Sequence, residues 1–96
     1  MDQTTMLSAL KTDLGLTTTV YDVRLAQLLA EAAALVAREG AALDTEGSAE
    51  DAGLAVMYAA FLWAQRRDPK AEMPRALRWA LNNRVFGGKM REAAAT

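Results

Sequence analysis

The apolar positions of this chain recur at helical spacing, and they are densest at 48–67, SAEDAGLAVMYAAFLWAQRR. From Ala52 to Ala64 only Gly53 and the Tyr58 hydroxyl interrupt the apolar character, with no proline and no β-branched run to oppose a helix. Ala52, Ala55, Val56, Ala59 and Trp63 share one face, while Leu54, Met57, Tyr58, Phe61 and Leu62 fill much of the remaining circumference. A helix that is apolar on nearly every side has to be covered from several directions, so this stretch is predicted to be the central helix. Its thirteen apolar-rich residues fall short of the roughly 20 that span a bilayer, and Glu50, Asp51, Arg66, Arg67 and Asp68 are ordinary soluble flanks. No membrane partner is expected.

Before it, Met6, Leu7, Leu10 and Leu14 fall on one side of a short helix, with Thr4 or Thr5 as N-cap after a loose start. Gly15 stops that helix, and Leu16 is placed to pack back over the turn. Thr19 and Asp22 form a variant capping box for a second helix running to Glu39 and ending at Gly40. Leu25, Leu28, Leu29, Ala32, Leu35 and Val36 make its apolar stripe, whereas Arg24, Gln27, Glu31 and Arg38 lie off the stripe and should face water. Ser48 is the natural N-cap of the central helix, and Asp68-Pro69 ends it. Pro74 opens a fourth helix with Ala76, Leu77, Ala80, Leu81 and Val85 along one side, weakened at Asn82-Asn83 and broken at Gly87-Gly88. The pattern thus predicts an all-α domain, a small bundle of about four helices over residues 1–87, followed by a flexible tail over 88–96. Its core is expected to hold Leu25, Leu28, Leu29, Leu35, Val36, Leu54, Met57, Tyr58, Phe61, Leu62, Leu77 and Leu81.

Composition narrows the chemistry. The 96 residues suffice for one modest core, and much of their hydrophobic content is alanine, which adds little apolar area, so a neighbouring subunit could complete the packing. Cysteine and histidine are both absent. That removes disulfides, thiolate and imidazole metal sites, and every Ser-His or Cys-His nucleophile, so an enzyme would have to run on carboxylates, Lys, Tyr or Arg alone; this carboxylate-based class is the least attractive, and no catalytic residue, metal site or cofactor is expected. Asp44 with Glu46 and Glu50 with Asp51 read as capping and solubility groups, not as catalytic pairs. The beginning, MDQTTMLSALKTDLG, lacks the pattern of a cleaved leader.

Charge is unevenly placed. Residues 1–65 carry three basic and nine acidic side chains, residues 66–96 eight and three, so a −6 stretch precedes a +5 stretch in a chain of net charge −1. The asymmetry suits head-to-tail self-association or a basic edge against nucleic acid, and also two plainly solvated faces. Arg66, Arg67, Lys70, Arg75, Arg78, Arg84, Lys89 and Arg91 bracket Trp79 and Phe86. These ten residues are the candidate contacts, either to other subunits or to a phosphate backbone. A small total charge argues against a strong nucleic-acid binder.

Four stretches in order, MLSALKTDLGL, YDVRLAQLLAEAAALV, LAVMYAAFLWAQRRD and MPRALRWALNNRV, give the chain a resemblance to the small head-to-tail connector (adaptor) proteins of long-tailed phages and phage-derived particles. The resemblance covers roughly residues 6–86. It implies a non-enzymatic virion subunit that assembles as a homo-oligomeric ring, a dodecamer in the particle, beneath the portal protein. Such a ring extends the channel for passing double-stranded DNA without sequence specificity after DNA packaging and docks a head-completion or tail-side neck protein. It further implies residence in the neck of a virion, prophage product or gene-transfer particle, and in the host cytoplasm before assembly. The chain departs from the family at Arg38-Glu39-Gly40 and in its alanine-rich closing segment, where family members commonly carry aromatics. The alternative function is a small helical nucleic-acid-binding protein that uses the basic final third.

Overall fold

In the computed structural model, which describes the backbone of residues 1–95 and the side chains of residues 1–87, the chain forms four helices. They are α1 (Gln3–Leu14), α2 (Asp22–Glu39), α3 (Ala49–Arg67) and α4 (Arg75–Ala95). The fold is all-α, and α3 touches each of the other three helices, with α2 as its most extensive neighbour. The aromatic-rich stretch is the central helix.

Local chemistry explains the boundaries. Gly15 (φ 69°) and Gly40 (φ 113°) end α1 and α2 in the left-handed region, where a side chain would be strained. The backbone N–H groups that follow, of Leu16 and Ala41, donate back to Lys11 O and Val36 O at 2.9 and 3.3 Å. Both followers turn inward: Leu16 packs on the core and Ala41 is buried. Ser48 caps α3 by accepting from Asp51 N–H at 3.2 Å, and Asp68 N–H closes its last turn on Ala64 O. Pro74 lends its carbonyl to Arg78 N–H and so precedes the first residue of α4.

Four local expectations are corrected. The cap of α1 is Asp2, whose carboxylate accepts from Thr5 N–H at 2.7 Å, so Thr4 and Thr5 lie inside the helix. The start of the chain is tied down as well, because the Met1 ammonium donates to Thr45 O and Glu46 O at 3.0 and 2.8 Å. Asp22 does not complete a capping box: Tyr21 precedes α2 without a side-chain cap, and the Asp22 carboxylate reaches across to Lys11 Nζ at 2.9 Å, joining α2 to α1. Asp22 N–H instead closes on the Thr19 carbonyl. Finally, α4 continues through Gly87-Gly88 to Ala95. Two glycines cost about 2 kcal/mol in a helix interior, and the strong helix formers that follow them in the sequence, KMREAAA, offset part of that. The predicted flexible tail at 88–96, with Lys89 and Arg91, lies outside the described side chains.

The core gathers Met6 and Leu10 from α1, Leu25, Leu28, Leu29, Ala32 and Val36 from α2, Ala52, Leu54, Val56, Tyr58, Ala59 and Trp63 from α3, and Leu77 and Leu81 from α4. Tyr21 and Trp63 pack edge to face at 5.2 Å and close the end where α2 begins and α3 finishes. Four predicted core residues sit further out. Leu35, Phe61 and Leu62 are half-buried at its margin, and Met57 is 36 % exposed. Three neighbours around one helix leave a side open, and Met57 falls on that side. No helix among the described residues is long and apolar enough to cross a membrane.

Candidate functional site

Helix α4 separates the ten candidate residues by the face on which each falls. Leu77, Leu81 and Arg84 recur at spacings of four and three, so the helix that buries two leucines also turns Arg84 inward. There its guanidinium meets Asp51, which is only 5 % exposed. Arg84 Nε donates to Asp51 Oδ1 at 2.8 Å and Nη2 to Oδ2 at 3.2 Å, while Nη2 also donates to Ala42 O at 3.0 Å. Asp44 N–H donates to Asp51 Oδ2 at 2.8 Å. One carboxylate therefore ties α4, the α2–α3 connection and the first turn of α3 together. The bidentate bond holds the Arg84 guanidinium protonated more firmly than an ordinary arginine, with the Asp51 charge acting in the same direction and burial opposing them.

This pair revises two readings. Arg84 is engaged within its own subunit instead of facing a partner or DNA, and Asp51 is a buried structural anion instead of a solubility group. The signal was present in the sequence: Arg84 falls three after Leu81 and seven after Leu77, which is core-face spacing.

Arg75, Trp79, Asn82 and Phe86 occupy the opposite, outward face of α4 at spacings of four, three and four, and all are exposed. Trp79 is 71 % and Phe86 64 % exposed, so neither belongs to the core. Arg78 is exposed beside them. Two aromatics held in water about 10 Å apart on one helical face, with arginines alongside, are the composition of a contact surface.

Arg66, Arg67 and Lys70 lie at and just beyond the end of α3. Arg66 and Arg67 place their guanidinium carbons 5.1 and 6.0 Å from the Trp63 ring centroid, stacked on the aromatic end of the core. Lys70 is exposed in the link to α4. Next to this cluster Val20 and Val23 are 78 % and 74 % exposed and form an apolar corner. The charge split of the sequence becomes two poles. At the start of α3, Glu39, Asp44, Glu46 and Glu50 are exposed with Arg38 and the Met1 ammonium as local cations; at its end Arg66, Arg67, Lys70 and Arg75 face Asp68 and Glu72. The 19 residues of α3 hold these poles about 28 Å apart.

Between α3 and α4 runs a groove of about 450 Å³, with Gly53 and Met57 on one wall and Trp79 and Asn83 on the other. Deeper in the bundle, burial makes the Tyr58 hydroxyl harder to ionise than an ordinary tyrosine, the Glu39 charge acts in the same direction, and Arg78 opposes both. Among the described residues no group of three or more acidic side chains is arranged to hold a metal ion. Comparisons with protein-family models, with curated proteins and with solved structures found no match to this chain.

Proposed function

We propose that the protein is a structural head-to-tail connector subunit of a phage or phage-like particle, assembling as a ring beneath the portal and docking a neck or tail component. The observation that carries this reading is the amount of contact-type surface left over once the fold is complete. Trp79 and Phe86 on the back of α4, Val20 and Val23 at the start of α2, and the two charge poles all face outward. Patches that differ from one another on one small subunit suit heterologous contacts, which close into rings when the rotation allows. In this reading the subunit performs no covalent chemistry, and its exposed Arg75 and Arg78 face neighbouring protein or passing duplex. The similarity of order in the four sequence stretches supplies the choice of connector over other ring-forming proteins.

Imaging of the intact particle tests the reading directly: a ring of this protein between portal and tail is expected. A neck fully accounted for by other proteins would overturn it. A second reading has its own observation, since Arg75, Arg78, Trp79 and Phe86 lie side by side on α4. A small nucleic-acid-binding protein of that design would show DNA affinity falling steeply with salt, and Arg75→Ala with Arg78→Ala would reduce the salt slope by about two.

A further inference from the structure

The open side of α3 carries a regular line of residues. Glu50, Gly53, Met57, Ala60, Ala64 and Arg67 follow one another at spacings of three, four, three, four and three, and none of the six is buried. That spacing is the seam of a two-helix coiled contact, in which the residues of one helix seat between those of another. The seam has a second property. Reversed end to end it matches itself: Glu50 falls opposite Arg67, Gly53 opposite Ala64, and Met57 opposite Ala60. Acid meets base at both ends, and in the middle each large side chain meets a small one.

We propose that two copies of this chain pair along the open side of α3, which borders the groove to α4 at Glu50, Gly53 and Met57, with their α3 helices antiparallel about a two-fold axis between Met57 and Ala60. The occupant of this side is a second copy, because the complementary charges and sizes are supplied by the same seam read backwards. In a two-fold contact each favourable pair occurs twice. Antiparallel α3 helices also bring their dipoles into a favourable arrangement, and the small residues allow close approach. Met57 and the exposed Trp79 ring along the groove supply the apolar area to be covered. Arg67 is exposed at the end of α3, with its guanidinium carbon 6.0 Å from the Trp63 ring centroid, and from there it meets Glu50 of the second copy. The inference goes beyond the connector reading, since it concerns how free copies meet and holds or fails independently of any place in a particle.

The absence of cysteine makes the test clean. Copies carrying Gly53→Cys are mixed with copies carrying Ala64→Cys and oxidised, and cross-linked pairs are counted against a control in which Thr12→Cys, exposed on α1, replaces Ala64→Cys. A Cβ at Gly53 meets nothing within 4 Å, so the substitution fits the folded chain. The proposal expects cross-linking about tenfold or more above the control. Sedimentation of the unmodified chain should show a dimer that Glu50→Arg weakens by about two- to fivefold and that Glu50→Arg combined with Arg67→Glu restores. Cross-linking no greater than the control overturns the proposal even if the protein associates through another face. A monomer up to about 1 mM overturns it as well. Neither result bears on whether imaging finds the protein in a particle neck.

Discussion

Asp51 and Arg84 show how one buried charge decides the position of a helix. The carboxylate is almost fully covered, whereas the arginine side chain retains 22 % exposure, so losing either partner has unequal consequences. Arg84→Ala leaves the anion buried without its guanidinium and should destabilise the fold by about 2–4 kcal/mol. Asp51→Asn leaves a part-exposed cation that water can reach, and should cost about 1–2 kcal/mol. Urea denaturation of both variants gives the ordering, and equal losses would contradict it. Tyr58 makes a prediction in pH. Its hydroxyl is harder to ionise in the folded chain than in the unfolded one. The unfolded state therefore releases this proton first, and stability falls as pH rises above the ordinary value near 10. Tyr58→Phe should remove that part of the alkaline decline, as measured by thermal unfolding across pH 8 to about 11.

At the scale of the elements, two glycines make opposite predictions. Gly15 holds φ at 69°, where an added Cβ is strained whatever the space, while Gly53 is inside α3 with open space beside it. Gly15→Ala should destabilise the protein by about 1 kcal/mol and Gly53→Ala should stabilise it by about 0.5–1 kcal/mol. Thermal unfolding distinguishes the two signs. The same reasoning explains which helix ends could be read from sequence. A left-handed glycine, a serine three residues before its backbone donor and an Asp-Pro pair are local devices, and the ends they mark fall as predicted. The cap of α1 was misplaced because Asp2 and the two threonines are all competent caps. Asp2 takes the position because its carboxylate, accepting from the Thr5 hydroxyl and N–H, is ionised more readily than usual and favours the helix start.

Across the whole molecule, the two tryptophans differ in what they do. Trp63 is 6 % exposed and joins the start of α2 to the end of α3 through Tyr21, whereas Trp79 is 71 % exposed. Trp63→Ala should cost about 3 kcal/mol or more, and Trp79→Ala should stay within about 0.5 kcal/mol in the isolated chain. Chemical denaturation checks both. A large loss from Trp79→Ala in a monomer would mean that the ring packs on its own subunit. The extents of the molecule, 48 × 30 × 18 Å, give the same picture at large scale: it is about two helix layers thick, so one side of the central helix stays near the surface.

The linear order of residues by itself determined the number of helices, most of their ends, the central position of α3 and the greater part of the core, because periodicity and capping act over one or two turns. It also showed that the final third was basic and carried two aromatics among its arginines. Only the tertiary structure decided what each face meets. It turned Arg84 inward to Asp51, 33 residues away, set Met1 against Thr45 and Glu46, placed Trp79 and Phe86 in water, and left Met57 at the margin of the core. The physical reason is that spacing determines which side chains share a side of a helix, whereas burial depends on the neighbour opposite, and α3 has three such neighbours for a surface that is apolar nearly all the way round.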